Sequence, residues 1–179
     1  MILNHTIEAL MGRRSVREYR AEQISDEELS DILVAAKFAP SSYGKQERHM
    51  TVIQNKKFLE EIVKASEREN ERTGKQFAPG HRPFYNAPTV VVFSAPENAE
   101  YAHEDVAFAS LNLMTAAFVY GLGSCYIGSL ASGLCTPEIM KQLDLPEGYV
   151  PIGCVAVGYA SEHPPEAKPR REDDVNYIS

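Results

Sequence analysis

Gly121-Leu122-Gly123-Ser124-Cys125-Tyr126-Ile127-Gly128 follows a long apolar stretch and precedes a polar turn. Glycine suits the left-handed residue that ends a helix, and Ser124 to Gly128 then reads as a strand. The order is helix, glycines, strand. A dinucleotide-binding fingerprint needs a strand first and glycines that open a helix, so a Rossmann-type site is disfavoured.

Upstream, residues 99 to 120 form the longest helical stretch, with Val106, Ala109, Leu113, Met114, Ala117 and Phe118 on one face and further apolar residues around the circumference. Such a helix needs cover on several sides. Glu104, Asp105 and Asn112 interrupt it, and its apolar part falls short of the roughly 20 residues of a membrane span. A core helix that also contributes to a dimer interface is the expectation; the alternative is a helix covered within its own chain. Before it, Thr89 to Ser94 is nearly all β-branched and reads as a strand buried on both faces. His49 to Gln54 reads as another strand. Between them lie a helix with Phe58, Leu59, Ile62 and Val63 inward, a charged run from Glu67 to Lys75 expected as a solvated helix face and then a loop, and an irregular segment. That segment, Gln76 to Pro88, holds Pro79, Gly80, Pro83 and Pro88 among Phe77, Phe84 and Tyr85, and is read as crossing the surface or covering a pocket.

Downstream, Thr136-Pro137 opens a short helix with Thr136 as N-cap, Leu145-Pro146 closes it, and Val150 to Val157 supplies the last strand. At the N-terminus, Leu3, Ile7, Leu10 and Met11 predict a first helix running into Gly12. Ser25-Asp26-Glu27-Glu28 is a capping box, and Leu29, Ile32, Leu33 and Ala36 mark the buried face of a second helix that runs to about Phe38 and stops at Ala39-Pro40.

The 179 residues suit one domain, and 44% hydrophobic with 24% charged residues is an ordinary globular composition. A net charge of −7 and a pI near 5.3 argue against nucleic acid or an anionic membrane as partner. Cys125, Cys135 and Cys154 form no CxxC pair and are read as reduced, mostly buried small hydrophobes. No metal-ligand spacing occurs among the His and Cys residues, so no metal is expected. Asn4, His5 and Glu8 follow Ile2 and Leu3 directly, which leaves no apolar signal core and makes the cytoplasm the expected compartment.

Against this acidic background, four of the eighteen Lys and Arg residues crowd into Arg13 to Arg20, at the exit of the first helix. Arg13, Arg14 and Arg17 with Ser15 among them suit an oxyanion, because guanidinium forks match phosphate geometry. A helix C-terminus carries the negative pole, so side chains must do the holding. A solvated basic turn is the competing reading. Pro40-Ser41-Ser42-Tyr43-Gly44-Lys45-Gln46 is a loop whose hydroxyls and amide suit the edge of a flat heteroaromatic, or which simply ends a helix. Lys168, Arg170 and Arg171 form a second basic cluster in the Pro-containing tail.

Five segments in register resemble the nitroreductase family of FMN-dependent oxidoreductases along essentially the whole chain: Arg13-Arg14-Ser15-Val16-Arg17; Ala39-Pro40-Ser41-Ser42 with Gln46; Tyr85-Asn86-Ala87-Pro88; Gly121 to Gly128; and Lys168-Pro169-Arg170. The resemblance implies an α+β fold with a central, mostly antiparallel sheet flanked by helices, in an intertwined homodimer with FMN sites at the interface. Residues 1–179 would form a single FMN-binding domain, with 161–179 as a C-terminal extension. By family pattern, Arg13, Ser15, Arg17, Lys168 and Arg170 hold the FMN phosphate and ribityl chain, with Arg14 acting partly through its backbone. Pro40, Ser41, Ser42 and Gln46 meet the isoalloxazine from the partner subunit, and Tyr126, Ile127 and Gly128 lie against the flavin. Gly44 stands where many relatives carry Asn, and Lys45-Gln46-Glu47-Arg48 where they carry a later Pro-Trp. There is no Trp in the chain.

The activity implied is transfer of electrons from NADH or NADPH through FMN to a nitroaromatic or quinone-type acceptor, donor and acceptor alternating at one site. No single residue stands out as a catalytic acid. Alternatives are a non-catalytic FMN-binding protein, a same-fold dehalogenase, a flavin-fragmenting enzyme, or an interaction module with two solvated basic patches.

Overall fold

The computed structural model describes residues 4–78, 80–129 and 131–178. The expected contributions of Leu3 and Pro79 lie outside them. In chain order the elements are α1 (His5–Gly12), α2 (Asp26–Lys37), β1 (His49–Ile53), α3 (Lys56–Arg72), β2 (Thr89–Pro96), α4 (Ala102–Val119), β3 (Gly123–Ile127), α5 (Ala131–Leu134), α6 (Pro137–Leu143) and β4 (Tyr149–Gly158). The architecture is α+β: four strands in the order β1-β2-β4-β3, every neighbouring pair antiparallel.

β2 is central and fully enclosed, as its β-branched run demands. Val90 and Val92 enter a core under α3, α5 and α6 with Ile62, Leu134 and Ile139. Val91 and Phe93 enter a second core under α2 and α4 with Ile32, Val106 and Leu113. Alternation along one strand therefore feeds two layers. Among the described residues no helix is long and apolar enough to cross a membrane.

The capping box at α2 forms as spelled: the Ser25 hydroxyl accepts the Glu28 N–H at 3.2 Å and the Glu28 carboxylate accepts the Ser25 N–H at 2.9 Å. The Tyr159 hydroxyl also donates to Glu28, at 2.8 Å. These donors, led by the Ser25 amide, hold the Glu28 carboxyl below its ordinary range. A lowered folded-state pKa means that the stabilisation is present above the unfolded pKa and lost as pH falls through the folded one. Ser25→Ala should cost about 1 kcal/mol in urea unfolding at neutral pH, and Glu28→Gln should flatten the acid limb of stability against pH.

One local expectation is corrected and two are made more specific. Thr136 is the N-cap residue of α6 and Pro137 opens the helix, as expected, but its side chain makes no capping bond; its hydroxyl donates to the Gly133 carbonyl at 2.9 Å, tying α6 to the unforeseen α5. Phe118 does not share the buried face of α4 but stays 37% exposed and packs over Gly12 at the end of α1. Cys125 and Cys154 are buried, whereas Cys135 is exposed.

Candidate functional site

The arginine segment is laid along the edge of β3. Ser15 bridges Ser124 in parallel, and the Val16 N–H donates to the Ser124 carbonyl at 3.0 Å. Val16 reaches the sheet because position 123 is glycine; a Cβ there would lie 2.8 Å from the valine. Further on, the Tyr19 hydroxyl donates to the Val16 carbonyl at 2.8 Å, and the Arg20 N–H to the Tyr159 carbonyl at 2.9 Å. Burial raises the Tyr19 phenol far above its ordinary pKa, so it stays a donor at every physiological pH. The segment is thus fixed before any ligand arrives.

Within it the arginines differ. Arg14 is spent on its own backbone, Nη1 donating to the Met11 carbonyl at 2.7 Å and the Arg13 carbonyl at 2.8 Å. It closes the end of α1, where carbonyls lack partners and the dipole favours a cation. Arg13 is the opposite case: its Nη1 is buried and has no hydrogen-bond partner among the described residues. None of Arg13, Arg14 and Arg17 forms an ion pair among them. Arg17, Ser15 and Arg13 all act on the Cys125 thiol, yet burial outweighs them and raises its pKa. Cys154 is pushed up to about 12 by burial. Neither thiol is a thiolate nucleophile at neutral pH.

On β3, Ser124 and Tyr126 pair with Val157 and Val155 and share the sheet face covered by α2 and α4, while Cys125 and Ile127 enter the other core. Tyr126 is 42% exposed and lies over Gly153, where any Cβ would collide with its hydroxyl. Gly153 is therefore a shaping residue that the sequence did not single out. Its only signal was a glycine inside an otherwise β-branched strand.

Among the described residues no hydrogen bond joins the loop Pro40 to Gln46 to the arginine segment. It is bound to the start of α4, where the Asp105 carboxylate accepts the Ser42 N–H at 2.9 Å and the Ser42 hydroxyl at 3.0 Å. The Ser41 hydroxyl accepts the Gln46 N–H at 3.0 Å. Lys168 and Arg170 lie in an exposed tail without regular structure, whose last backbone tie to the body is the Ser161 N–H to the Glu18 carbonyl at 3.1 Å. So the chain by itself lays Arg13, Ser15 and Arg17 along β3, the strand that carries Tyr126 and Ile127 on opposite faces, and among the described residues no hydrogen bond ties the 40–46 loop or the second basic cluster to that segment.

A recess of about 660 Å³ opens beside Arg17. Its far wall is the irregular segment, which brings His81, Arg82, Tyr85 and Asn86 opposite Arg17 and Tyr19. The His81 ring lies tilted against Phe77 at a centroid distance of 5.3 Å and edge-on to Tyr85 at 5.7 Å, and its Nε2 is buried without a hydrogen-bond partner among the described residues. Tyr85 and Asn86 hold left-handed φ values of 53° and 57°, a strained conformation typical of ligand sites. The sequence marked this stretch as a surface crossing or a cover but gave no role to His81 or Arg82.

The arrangement is an antiparallel α+β sheet with an arginine segment laid along its edge strand β3. The nitroreductase family profile matches residues 10–159, and the chain belongs to that family. Its fold superimposes on a nitroreductase with bound FMN from Bacteroides fragilis with a TM-score of 0.89 at 28% identity, covering 99% of this chain and 100% of the other. An FMN-dependent nitroreductase from Clostridium difficile gives a TM-score of 0.83 at 30% identity, covering 98% and 99%. The oxygen-insensitive NADPH nitroreductase of Salmonella typhimurium is 27% identical over 173 residues, 94% of this chain and 70% of that protein.

Proposed function

We propose that this protein is a single-domain, FMN-dependent oxidoreductase that carries electrons from NADH or NADPH to a small electron-poor aromatic acceptor of the nitro or quinone type. The observation that carries the reading is the Arg13 Nη1, buried with no hydrogen-bond partner among the described residues, on a segment with Ser15 and Arg17 whose backbone is fixed along β3. A buried donor without a partner costs about 1–3 kcal/mol, which a dianionic phosphate at that point would offset. The residues present fit the phosphate end of FMN.

In this reading Arg13, Ser15 and Arg17 hold the phosphate and ribityl chain, Arg14 fixes the backbone they stand on, and Lys168 and Arg170 close over them from the tail. Tyr126, Ile127 and Gly128 support the ring, and the recess walled by His81, Arg82 and Tyr85 gives it an enclosed edge. FMN, when bound, supplies the hydride and electron chemistry at its ring. The protein contributes cationic and amide donors that stabilise negative charge in a site of reduced dielectric. Burial keeps the Tyr19 phenol and the Cys154 thiol protonated at neutral pH.

The loop Pro40, Ser41, Ser42 and Gln46 belongs to the partner's flavin in an intertwined homodimer. Phe108 and Leu111 on α4 are 46% and 45% exposed, Leu10 and Met11 on α1 are 51% and 54%, and Tyr177 and Ile178 in the tail are almost wholly exposed. That amount of apolar surface on a chain of this size supports a covering partner.

The test is the visible spectrum of the purified protein, taken anaerobically before and after NADH and then NADPH. A bound-flavin spectrum that bleaches with either donor is expected, with parallel lines in steady-state kinetics when donor and acceptor are varied. A colourless protein that FMN does not reconstitute would refute the reading. Persistent colour with both donors would leave a non-catalytic flavin binder.

A further inference from the structure

We infer that Arg48 is a positioning residue for the flavin-facing loop, clamping residues 40–46 in a strained shape that sets how tightly the ring is held. The inference rests on the function proposed above. The Arg48 guanidinium reaches back across the loop to the end of α2. Its Nη1 donates to the Pro40 carbonyl at 2.6 Å and to the Asp105 carbonyl at 3.5 Å. Its Nη2 donates to the Ala39 carbonyl at 2.9 Å and the Lys37 carbonyl at 3.3 Å. One planar cation thus binds the exit of a helix, the first loop residue and the first turn of α4.

Each part of this has a physical reason. The last carbonyls of α2 lack partners within the helix and carry the negative end of its dipole, so a guanidinium fork is the side chain best matched to them. The loop it closes is costly to hold: Tyr43 and Gln46 adopt φ of 55° and 56°, a region that non-glycine residues rarely enter. Such conformations persist only where the surroundings over-determine them. The over-determination here comes from two sides. Asp105, 7% exposed, takes the Ser42 N–H and hydroxyl, and Arg48 takes the Lys37, Ala39 and Pro40 carbonyls that lead into the loop. Asp105 and Arg48 make no ion pair with each other among the described residues, so each charge is committed to the loop.

The test compares wild type, Arg48→Ala and Arg48→Lys as full-length protein. Lys keeps the charge but presents its donors from one atom, and it cannot span the same carbonyls. Three quantities are read: the dissociation constant for FMN, amide hydrogen exchange at Ser42 and Gln46, and recovery of both with millimolar methylguanidinium. Loss of charged hydrogen bonds predicts roughly tenfold weaker FMN binding in Arg48→Ala. Faster exchange at Ser42 and Gln46, exchange elsewhere unchanged, and restoration by methylguanidinium are expected with it. Arg48→Lys should fall between the two. Wild-type affinity in Arg48→Ala, or weakened binding that methylguanidinium does not restore, would overturn the inference. If wild type itself binds no FMN, the functional reading fails separately, and unaltered exchange at Ser42 and Gln46 would still overturn the clamp.

Discussion

Arg13→Ala/Arg17→Ala protein is expected to purify colourless, with affinity for FMN reduced by roughly a hundredfold to ten-thousandfold, since each charge-assisted contact to phosphate contributes about 1.5–3 kcal/mol. The stability of the FMN-free protein should move the other way. Arg13 Nη1 is buried without a partner, so its removal relieves a desolvation cost rather than breaking a contact. Tyr19, Arg14 and the Val16 bond to Ser124 continue to hold the backbone. In thermal melts without added FMN the variant should match or exceed wild type. With FMN at a hundred times its wild-type dissociation constant, wild type should gain about 2.7 kcal/mol and the variant almost nothing. Opposite signs in the two melts distinguish a ligand site from a structural cluster. If the arginines were solvated turns, both melts and the flavin content would stay at wild-type values.

What could be read from the residues alone follows from how local each signal is. The Ser25 capping box, the buried run Thr89 to Ser94 and the helix, glycine, strand order around Gly121 are contiguous, and each formed where its pattern put it. The arginine cluster was visible because basic residues stand out on an acidic chain. The division of labour inside it was not, because whether a guanidinium turns onto Met11 or stays free depends on the end geometry of α1. The same holds for Arg48 and Asp105, which are 57 residues apart in sequence and meet only when α2 and α4 pack together. Thr136 had the residue type of a cap and the neighbouring proline of a helix start, but α5 offered its hydroxyl a carbonyl instead. Phe118 fitted the apolar periodicity of α4 and still faces outward, because an all-round apolar helix does not announce which side is covered by its own chain.

That last ambiguity carries the second large effect. On α4, Phe108, Leu111 and Phe118 recur at helical spacing on the exposed side, and Phe118 packs over Gly12 to join them to Leu10 and Met11 of α1. If this face meets its own copy about a two-fold axis, each residue in it is used twice. Leu111→Asp would then remove two buried leucines, worth about 1.5–3 kcal/mol each, and place two unpaired carboxylates in an apolar interface at a further cost of several kcal/mol. Sedimentation should show the 19.9 kDa variant chain as a monomer, and wild type is expected at twice that mass. If the proposed homodimer is right, FMN should be lost with the partner, because there Pro40, Ser41, Ser42 and Gln46 would serve the flavin of the other chain; among the described residues no hydrogen bond joins them to the arginine segment of their own. Far-ultraviolet circular dichroism should stay unchanged, since Leu111 is 45% exposed and lies outside both cores of the chain. A monomer that keeps FMN at wild-type affinity would show that the arginine segment and β3 suffice. A Leu111→Asp protein that remains dimeric would place the partner on another face and leave the apolar side of α4 to the tail bearing Val175, Tyr177 and Ile178.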